Sequence, residues 1–326
     1  MRNKNIQFSF LVIMMLASMV ACKKEEYTIP DPVSLLTNDC IKRTIGPSIV
    51  SLPLEFAYAM AIPKSSGKLV SAQVEASIAG ASGTYLEHRS FYTNSGGVDV
   101  PVLVGSPSLT VDKTTKMTYS IDTNAATLRY NYVIPEGARG QSVSFTFSVT
   151  SSDGKTASYK MGPYTISKMS INRNLAVSNG VNAYISIEDM AVYNAAAAAA
   201  IPGKIDLVYL FRAAPTTFTH ALVSPAADAA YLPGVTLPAG LNRSTKLRKV
   251  FNLQDRNLAN LQFGIYVDDV DLINVDMVDM PNYAIGLRAE AGVWVETADK
   301  KYRAYIFVNS INAAGTAVIS MLRYTL

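Results

Sequence analysis

The segment from Ser142 to Ile166 constrains the fold most strongly, because apolar and polar residues alternate along it with a period of two. The apolar residues that share one face before the turn are Val143, Phe145, Phe147 and Val149. Residues 151–154 (SSDG) are typical of a tight turn, and a second run of strand-forming residues follows them. The segment is therefore predicted to form a β-hairpin with one buried face.

Similar short runs extend through residues 35–168, which are predicted to form a β-sandwich. Val70 to Ile78 alternates apolar and polar side chains and ends at a glycine-containing turn. Val98 to Val104 is interrupted by Pro101, which predicts an edge strand or a β-bulge because proline cannot donate to a sheet. The strand predicted at Arg129 to Ile134 ends at a proline-glycine turn.

The first 26 residues, MRNKNIQFSFLVIMMLASMVACKKEE, combine a basic start with an apolar run and a small-residue site. The run is shorter than the roughly 20 residues that a membrane-spanning helix needs, so it predicts a secretory signal. Met19-Val20-Ala21-Cys22 resembles the lipobox of bacterial lipoproteins. This resemblance implies removal of residues 1–21 and lipid attachment at Cys22; an ordinary secretory signal is the alternative.

The residues CKKEE resemble the short export signal of Bacteroidetes surface lipoproteins, and the hairpin resembles the last hairpin of their immunoglobulin-like domains. The layout distantly resembles the SusE/SusF-type polysaccharide-utilisation lipoproteins. These resemblances imply an outer-membrane protein, lipid-anchored and facing the cell exterior, with residues 22–34 as a lipidated tether. A tether of any composition would also fit residues 22–34.

Residues 169–326 are predicted to form an α+β domain with a mixed or antiparallel sheet and one or two helices. Asp189 is predicted to cap a helix from Met190 to Ala200, and a second short helix is predicted after Ser224-Pro225. The predicted strands of this half are Ala183 to Ile187, Lys204 to Arg212, Tyr283 to Thr297, Lys301 to Ile311 and Thr316 to Tyr324. The whole chain is thus expected to be mainly β.

The last strands provide the candidate binding site if Asp299-Lys300 is a two-residue loop. In that register, Val293, Val295, Ala304 and Ile306 form an apolar face. On the other face Trp294 lies opposite Tyr305, and Glu296 lies opposite Arg303. Aromatic rings beside charged groups are suited to sugar binding, so these four residues are candidate glycan contacts. Alternatively, the predicted helices cover the two rings.

Motifs for the familiar catalytic and cofactor chemistries are missing from the sequence. It contains no GxSxG elbow, HExxH motif or phosphate-binding glycine loop, and its two histidines, His88 and His220, do not make a zinc pair. No catalytic residue, metal ligand or cofactor is therefore predicted. Cys40 is expected to be a small buried side chain. Residues 268–279 carry five aspartates, interpreted as solvated loop and strand-edge groups, with calcium binding as the alternative.

Composition narrows the choice of partners. The formal net charge is +4, and the basic residues are scattered, so nucleic-acid binding is not predicted. The leading hypothesis is a non-catalytic surface lipoprotein that binds glycan through its C-terminal domain. A structural or adhesive protein that contacts another envelope protein is the second hypothesis. A glycoside hydrolase is the third, because two distant carboxylates leave no local signature.

Overall fold

A computed structural model describes residues 35–250 and 267–326 of the chain. Cys22 and the predicted signal and tether lie outside these residues, so the structure does not address them. Within the two described ranges, no helix is long and apolar enough to cross a membrane.

The first domain is built from strands with short connections. The strands are β1 (Thr37–Lys42), β2 (Pro53–Ala61), β3 (Leu69–Ala76), β4 (Tyr85–Leu86), β5 (Arg89–Thr93), β6 (Asp99–Leu103), β7 (Leu109–Val111), β8 (Thr114–Thr118), β9 (Ala125–Val133), β10 (Ser142–Ser151) and β11 (Thr156–Thr165). A single turn of 3-10 helix spans Glu136–Ala138. The predicted β-rich character of this half is confirmed.

Two antiparallel sheets of the first domain face each other around an aromatic core. One sheet has the order β1-β2-β9-β4 and the other the order β11-β10-β3-β8-β7. Phe56 and Tyr130 of the first sheet contact Phe145 and Phe147 of the second, with ring centroids 4.9–6.0 Å apart. Burial of these rings supplies much of the hydrophobic stabilisation of the sandwich.

The predicted hairpin is confirmed as β10 and β11, and its alternation has the predicted cause. Val143, Phe145, Phe147 and Val149 are each no more than 1% exposed, because their face of β10 points into the core. The strand broken by Pro101 is β6, which pairs only with β5 in a separate two-stranded sheet. An edge position was one of the two outcomes predicted for it.

The described residues of the second domain form further strands and two short helices. Its elements are β12 (Ser170–Ser178), β13 (Asn182–Ser186), β14 (Ala191–Asn194), α1 (Ala195–Ala200), β15 (Leu207–Arg212), β16 (Thr219–Val223), β17 (Lys246–Val250), α2 (Asp269–Asn274), β18 (Tyr283–Leu287), β19 (Gly292–Glu296), β20 (Tyr302–Ile311) and β21 (Thr316–Thr325). Turns of 3-10 helix span Pro202–Lys204 and Ala229–Tyr231. The described residues thus combine strands with helices, as predicted for this half.

The described strands of this domain form two five-stranded antiparallel sheets, whose inner faces pack on each other. The strand order is β12-β21-β20-β19-β17 in the first sheet and β14-β13-β15-β16-β18 in the second. Val293 and Ile306 of the first sheet share a buried apolar cluster with Leu207 and Leu222 of the second. The helices lie on the outer faces, where α1 and residues 227–241 cover one sheet and α2 covers the other.

Two predictions about the helices are wrong in their details. Residues 191–194 continue as a strand paired with β13, since Val192 and Tyr193 favour extended backbone, and the helix begins only at Ala195. Its cap is Asn194, whose side chain accepts a hydrogen bond from the Ala197 N–H at 2.9 Å, and not Asp189. The predicted helix after Ser224 is reduced to the 3-10 turn at Ala229–Tyr231.

The strand predicted from Tyr283 to Thr297 is also wrong, because the chain crosses between sheets there. It comprises β18 in one sheet and β19 in the other, joined through residues 288–291. Glu290 within this connection has a positive φ of 67°, which ends regular strand geometry. In the sequence, the crossing is marked by the charged residues Arg288 and Glu290, which interrupt the apolar run between the two strands.

A buried ion pair holds the long connection between β16 and β17. Asp206 is 1% exposed, and its Oδ1 lies 2.8 Å from Nε of Arg243 in that connection. Arg243 also pairs with Asp299 at 3.0 Å, and the Ile187 N–H donates to the other Asp206 oxygen at 2.9 Å. Burial raises the pKa of Asp206 to about 6, although the Arg243 charge acts in the opposite direction.

Candidate functional site

The strand register predicted for the glycan platform is confirmed. Trp294 lies opposite Tyr305, and Glu296 lies opposite Arg303. The two rings are 4.7 Å apart between centroids, and the Arg303 guanidinium pairs with the Glu296 carboxylate at 2.9 Å. The structure therefore brings together all four residues that the sequence selected.

This face is nevertheless covered, so an exposed platform is absent from the described structure. Trp294 is 5% exposed and Tyr305 is fully buried, because α2 and the residues after it pack over both rings. Arg303 donates hydrogen bonds to the backbone carbonyls of Leu272 and Ile273 at the end of α2. The four residues thus attach α2 and the residues after it, which we call the cover, to the sheet. As a group they do not face solvent.

The aspartates of residues 268–279 explain how the cover begins. Asp268 caps α2 by accepting from the Val270 and Asp271 N–H groups, and the Asp271 side chain accepts from the Asp268 N–H in return. This capping box fixes the first turn of the helix. Asp269 accepts from Ser167, at the junction of the two domains. The interpretation of these aspartates as strand-edge and loop groups is wrong for Asp269 and Asp271, which are helical.

Cys40 and His220 are both buried. Burial raises the pKa of the Cys40 thiol to about 12, so it stays protonated at neutral pH, as expected for a small core side chain. His220 Nδ1 lies 2.6 Å from the Tyr209 hydroxyl, and its ring also hydrogen-bonds the Asn312 backbone. Burial lowers the pKa of His220, so the imidazole is neutral and both of its nitrogens have partners.

Next to His220 lies a concave feature that we call the C-terminal cleft. It has a volume of about 990 Å³ and is formed by the ends of β15, β16, β17, β18 and β20. The half-buried ring of Phe211 lies on one side, 4.7 Å from the His220 ring between centroids. This volume is at the upper end of the range for small-molecule sites.

The backbone of the cleft wall is held in unusual conformations. Thr219 has a φ of 40°, a strained value for a β-branched residue, and Gly286 has a φ of 65°. The Gly286 N–H donates to the Phe218 carbonyl at 2.6 Å, and a Cβ at Gly286 would lie 3.0 Å from the Thr217 carbonyl oxygen. Close packing therefore requires glycine at this position.

The polar lining of the C-terminal cleft is cationic. Lys249 and Arg288 both line it, and the described lining includes no aspartate or glutamate. Lys249 donates to the Ile285 carbonyl at 2.6 Å, which holds its ammonium group in place. Burial lowers the pKa of Lys249, and the nearby Arg288 charge lowers it further. Threonine hydroxyls at 216, 217 and 219 add neutral hydrogen-bonding groups.

Sequence reasoning missed the residues of this cleft, since they come from five separate strands. Phe211 and Lys249 are far apart in the sequence, and no motif beside either one indicates that they share a site. Residues 286–288 come near Thr216 and Thr217 only because β16 pairs with β18.

The fold and the cleft define a protein of two β-sandwich domains with a cationic cleft in the second. Residues 33–166 match the family model described as a domain of unknown function, DUF4466. Residues 167–326 match a second, described as a domain of unknown function, DUF8576. The crystal structure of a DUF4466 family protein from Parabacteroides merdae is 48% identical, with a TM-score of 0.85. The alignment covers 90% of this chain and all of that one.

The chain therefore belongs to the DUF4466 family, and its predicted likeness to proteins of Bacteroidetes is confirmed at that level. The solved structure of a variant of the major pilin subunit of Bacillus cereus, BcpA, also aligns, at 8% identity and a TM-score of 0.29. That alignment covers 86% of this chain and 62% of the pilin chain. The comparison with curated proteins gave no match.

Proposed function

We propose that the chain is a non-catalytic surface protein that binds an acidic glycan in the C-terminal cleft. The observation that supports this proposal is that two cations, Lys249 and Arg288, line a cleft whose described lining is otherwise neutral. A sugar ring would pack on Phe211, while a carboxylate or sulfate group would be held by the two cations. The threonine hydroxyls would form hydrogen bonds with the hydroxyl groups of the sugar.

A glycan array of the mature chain tests this proposal with two variants and one matched control. Arg288→Gln and Lys249→Gln are each expected to weaken binding to carboxylated or sulfated glycans by about tenfold, since each removes a charge-assisted contact. Arg248→Gln removes the same charge from the adjacent position of β17. Its guanidinium contacts the Asp276 carbonyl on the other face, so binding is expected to be unchanged. Equal loss in all three variants would contradict a site in the cleft.

We also propose that the protein is lipid-anchored at Cys22 to the outer membrane and faces the cell exterior. Support comes from the lipobox, and from the CKKEE motif that follows it. Multiple acyl chains would give firm attachment, because each buried methylene contributes about 0.8 kcal/mol. The distant likeness to SusE/SusF-type lipoproteins is part of this proposal.

Metabolic labelling with a palmitate analogue tests the anchor. Cys22→Ser is expected to lose the label and to leave the membrane fraction, because the acceptor thiol is gone. Cys40→Ser is the matched control, since Cys40 is the other cysteine and is buried in the first domain. Labelling that persists in Cys22→Ser would show that another residue or no lipid anchors the chain.

An adhesive role in contact with another envelope protein is the second candidate. It is favoured by an exposed apolar group on β6, β7 and the residues around them, each side chain at least 44% exposed: Val98, Val102, Leu103, Leu109 and Val111. Exposed apolar side chains are available for contact with another protein. The glycan array separates the two roles, since adhesion alone predicts that no glycan is bound.

A further inference from the structure

A second concave site lies on the first domain, where the β5–β6 hairpin lies against β9 of the β1-β2-β9-β4 sheet. The Thr127 N–H of β9 donates to the Ser90 hydroxyl of β5 at 3.0 Å. The Arg129 guanidinium lies 3.8 Å from the centre of the Phe91 ring. These contacts fix the hairpin on the sheet and leave a recess beside it, which we call the hairpin recess.

The hairpin recess has a volume of about 320 Å³ and combines rings with planar polar groups. Tyr85 is 46% exposed at its edge, and Phe91 forms one side. The Asn131 amide, Tyr130, three arginines and two glutamates complete the described lining. This volume is at the lower end of the range for small-molecule sites and is suited to one or two sugar rings.

Each arginine of the recess is held by a carboxylate. Arg89 pairs with both oxygens of Glu87, at 3.0 and 2.6 Å, and Glu87 is only 7% exposed. Arg129 pairs with Asp99, and Arg43 lies 3.8 Å from Glu55. Asp99 lies outside the lining itself, but with it three guanidinium groups pair with three carboxylates, so the cluster has no net charge.

This balance separates the hairpin recess from the cationic C-terminal cleft. A charged ligand would be attracted by the groups of opposite charge in the recess and repelled by the groups of like charge. A neutral polyol avoids this conflict, since adjacent hydroxyls donate to carboxylates and accept from guanidinium and amide groups at once. Because the ion pairs already hold these groups in place, little side-chain entropy is lost when a ligand binds.

We propose that the hairpin recess binds a neutral sugar, with the Tyr85 ring against one face of the pyranose and the arginine–carboxylate pairs on its hydroxyls. This site does not depend on the function proposed for the C-terminal cleft. It assigns the first domain a binding role of its own, through side chains that β2, β4, β5 and β9 bring together.

Saturation-transfer NMR of the mature chain with neutral disaccharides (maltose, cellobiose, lactose and mannobiose) tests the recess. At least one disaccharide is expected to bind, and Tyr85→Ala is expected to weaken it by about tenfold, because the stacking surface is lost. Tyr92→Ala is the matched control, since Tyr92 is 56% exposed on β5 and lines the groove on the other side of the hairpin.

Binding of the disaccharide is expected to be unchanged in Tyr92→Ala and in Arg288→Gln. These two variants distinguish the recess from the groove that Tyr92 lines and from the C-terminal cleft that Arg288 lines. Three results would overturn the proposal: no binding by any of the four disaccharides, equal weakening in Tyr92→Ala, or loss of binding in Arg288→Gln. Tyr85 is exposed at its position, so its truncation leaves the core intact, and the thermal unfolding of the variant checks this directly.

Discussion

Trp294→Ala is expected to lower the free energy of unfolding by about 3–5 kcal/mol, the usual cost of removing a large aromatic ring from a core. The indole is 5% exposed and lies between the Tyr305 ring and the cover formed by α2 and the residues after it. Its removal leaves a cavity under the cover and weakens the contact between cover and sheet. Thermal unfolding measures the loss, expected as a decrease of roughly 10 °C in Tm.

Two further measurements separate this structural role from a binding role. Trp294→Phe keeps most of the buried area and is expected to recover more than half of the loss. Glycan binding by folded Trp294→Ala at low temperature is expected to match that of the unsubstituted chain, since neither proposed site includes Trp294. A variant of normal stability that fails to bind glycan would restore Trp294 as a ligand contact.

Arg243→Ala is expected to destabilise the chain by about 3–5 kcal/mol at neutral pH, because it leaves the buried Asp206 carboxylate without its cation. Asp206 already has a pKa raised to about 6, so the folded state takes up a proton between about pH 6 and pH 4. Stability from this group is therefore lost as pH rises through that window. Without Arg243 the folded pKa of Asp206 rises further, and the loss at neutral pH grows.

Denaturant unfolding at two pH values measures this effect. The difference between Arg243→Ala and the unsubstituted chain is expected to be smaller at about pH 4.5 than at about pH 7.5, because Asp206 is protonated in both proteins at the lower pH. Combining Arg243→Met with Asp206→Leu is expected to recover much of the loss, since no charge is then left buried. A loss that is independent of pH would contradict the assignment to Asp206.

Local patterns in the sequence were sufficient to predict the strands of the β10–β11 hairpin and the register of β19 and β20. In both cases a turn lies between two runs whose alternating faces differ in polarity, and that difference fixes the pairing. The helix cap was misplaced because Asp189 and Asn194 are equally good caps in isolation. Pairing of residues 191–194 with β13 decides between them, and that contact involves the fold of the whole sheet.

Burial of the Trp294 face was an alternative that the sequence left open, because the cover comes from another part of the chain. Residues 267–280 gave no strong helical period, and α2 has only six residues. The residues of both candidate binding sites are likewise brought together only by the tertiary fold. The C-terminal cleft joins five strands and the hairpin recess joins four, so no short window of sequence contains either set of groups.

The central claim is that the C-terminal cleft recognises negative charge on a glycan, and calorimetric titration of the mature chain with a sulfated oligosaccharide and its desulfated counterpart tests it most directly. The sulfated form is expected to bind at least about tenfold more tightly, with an affinity that falls as salt is added and that Arg288→Gln reduces. Equal affinity for the two forms, or no binding of either, would contradict the claim.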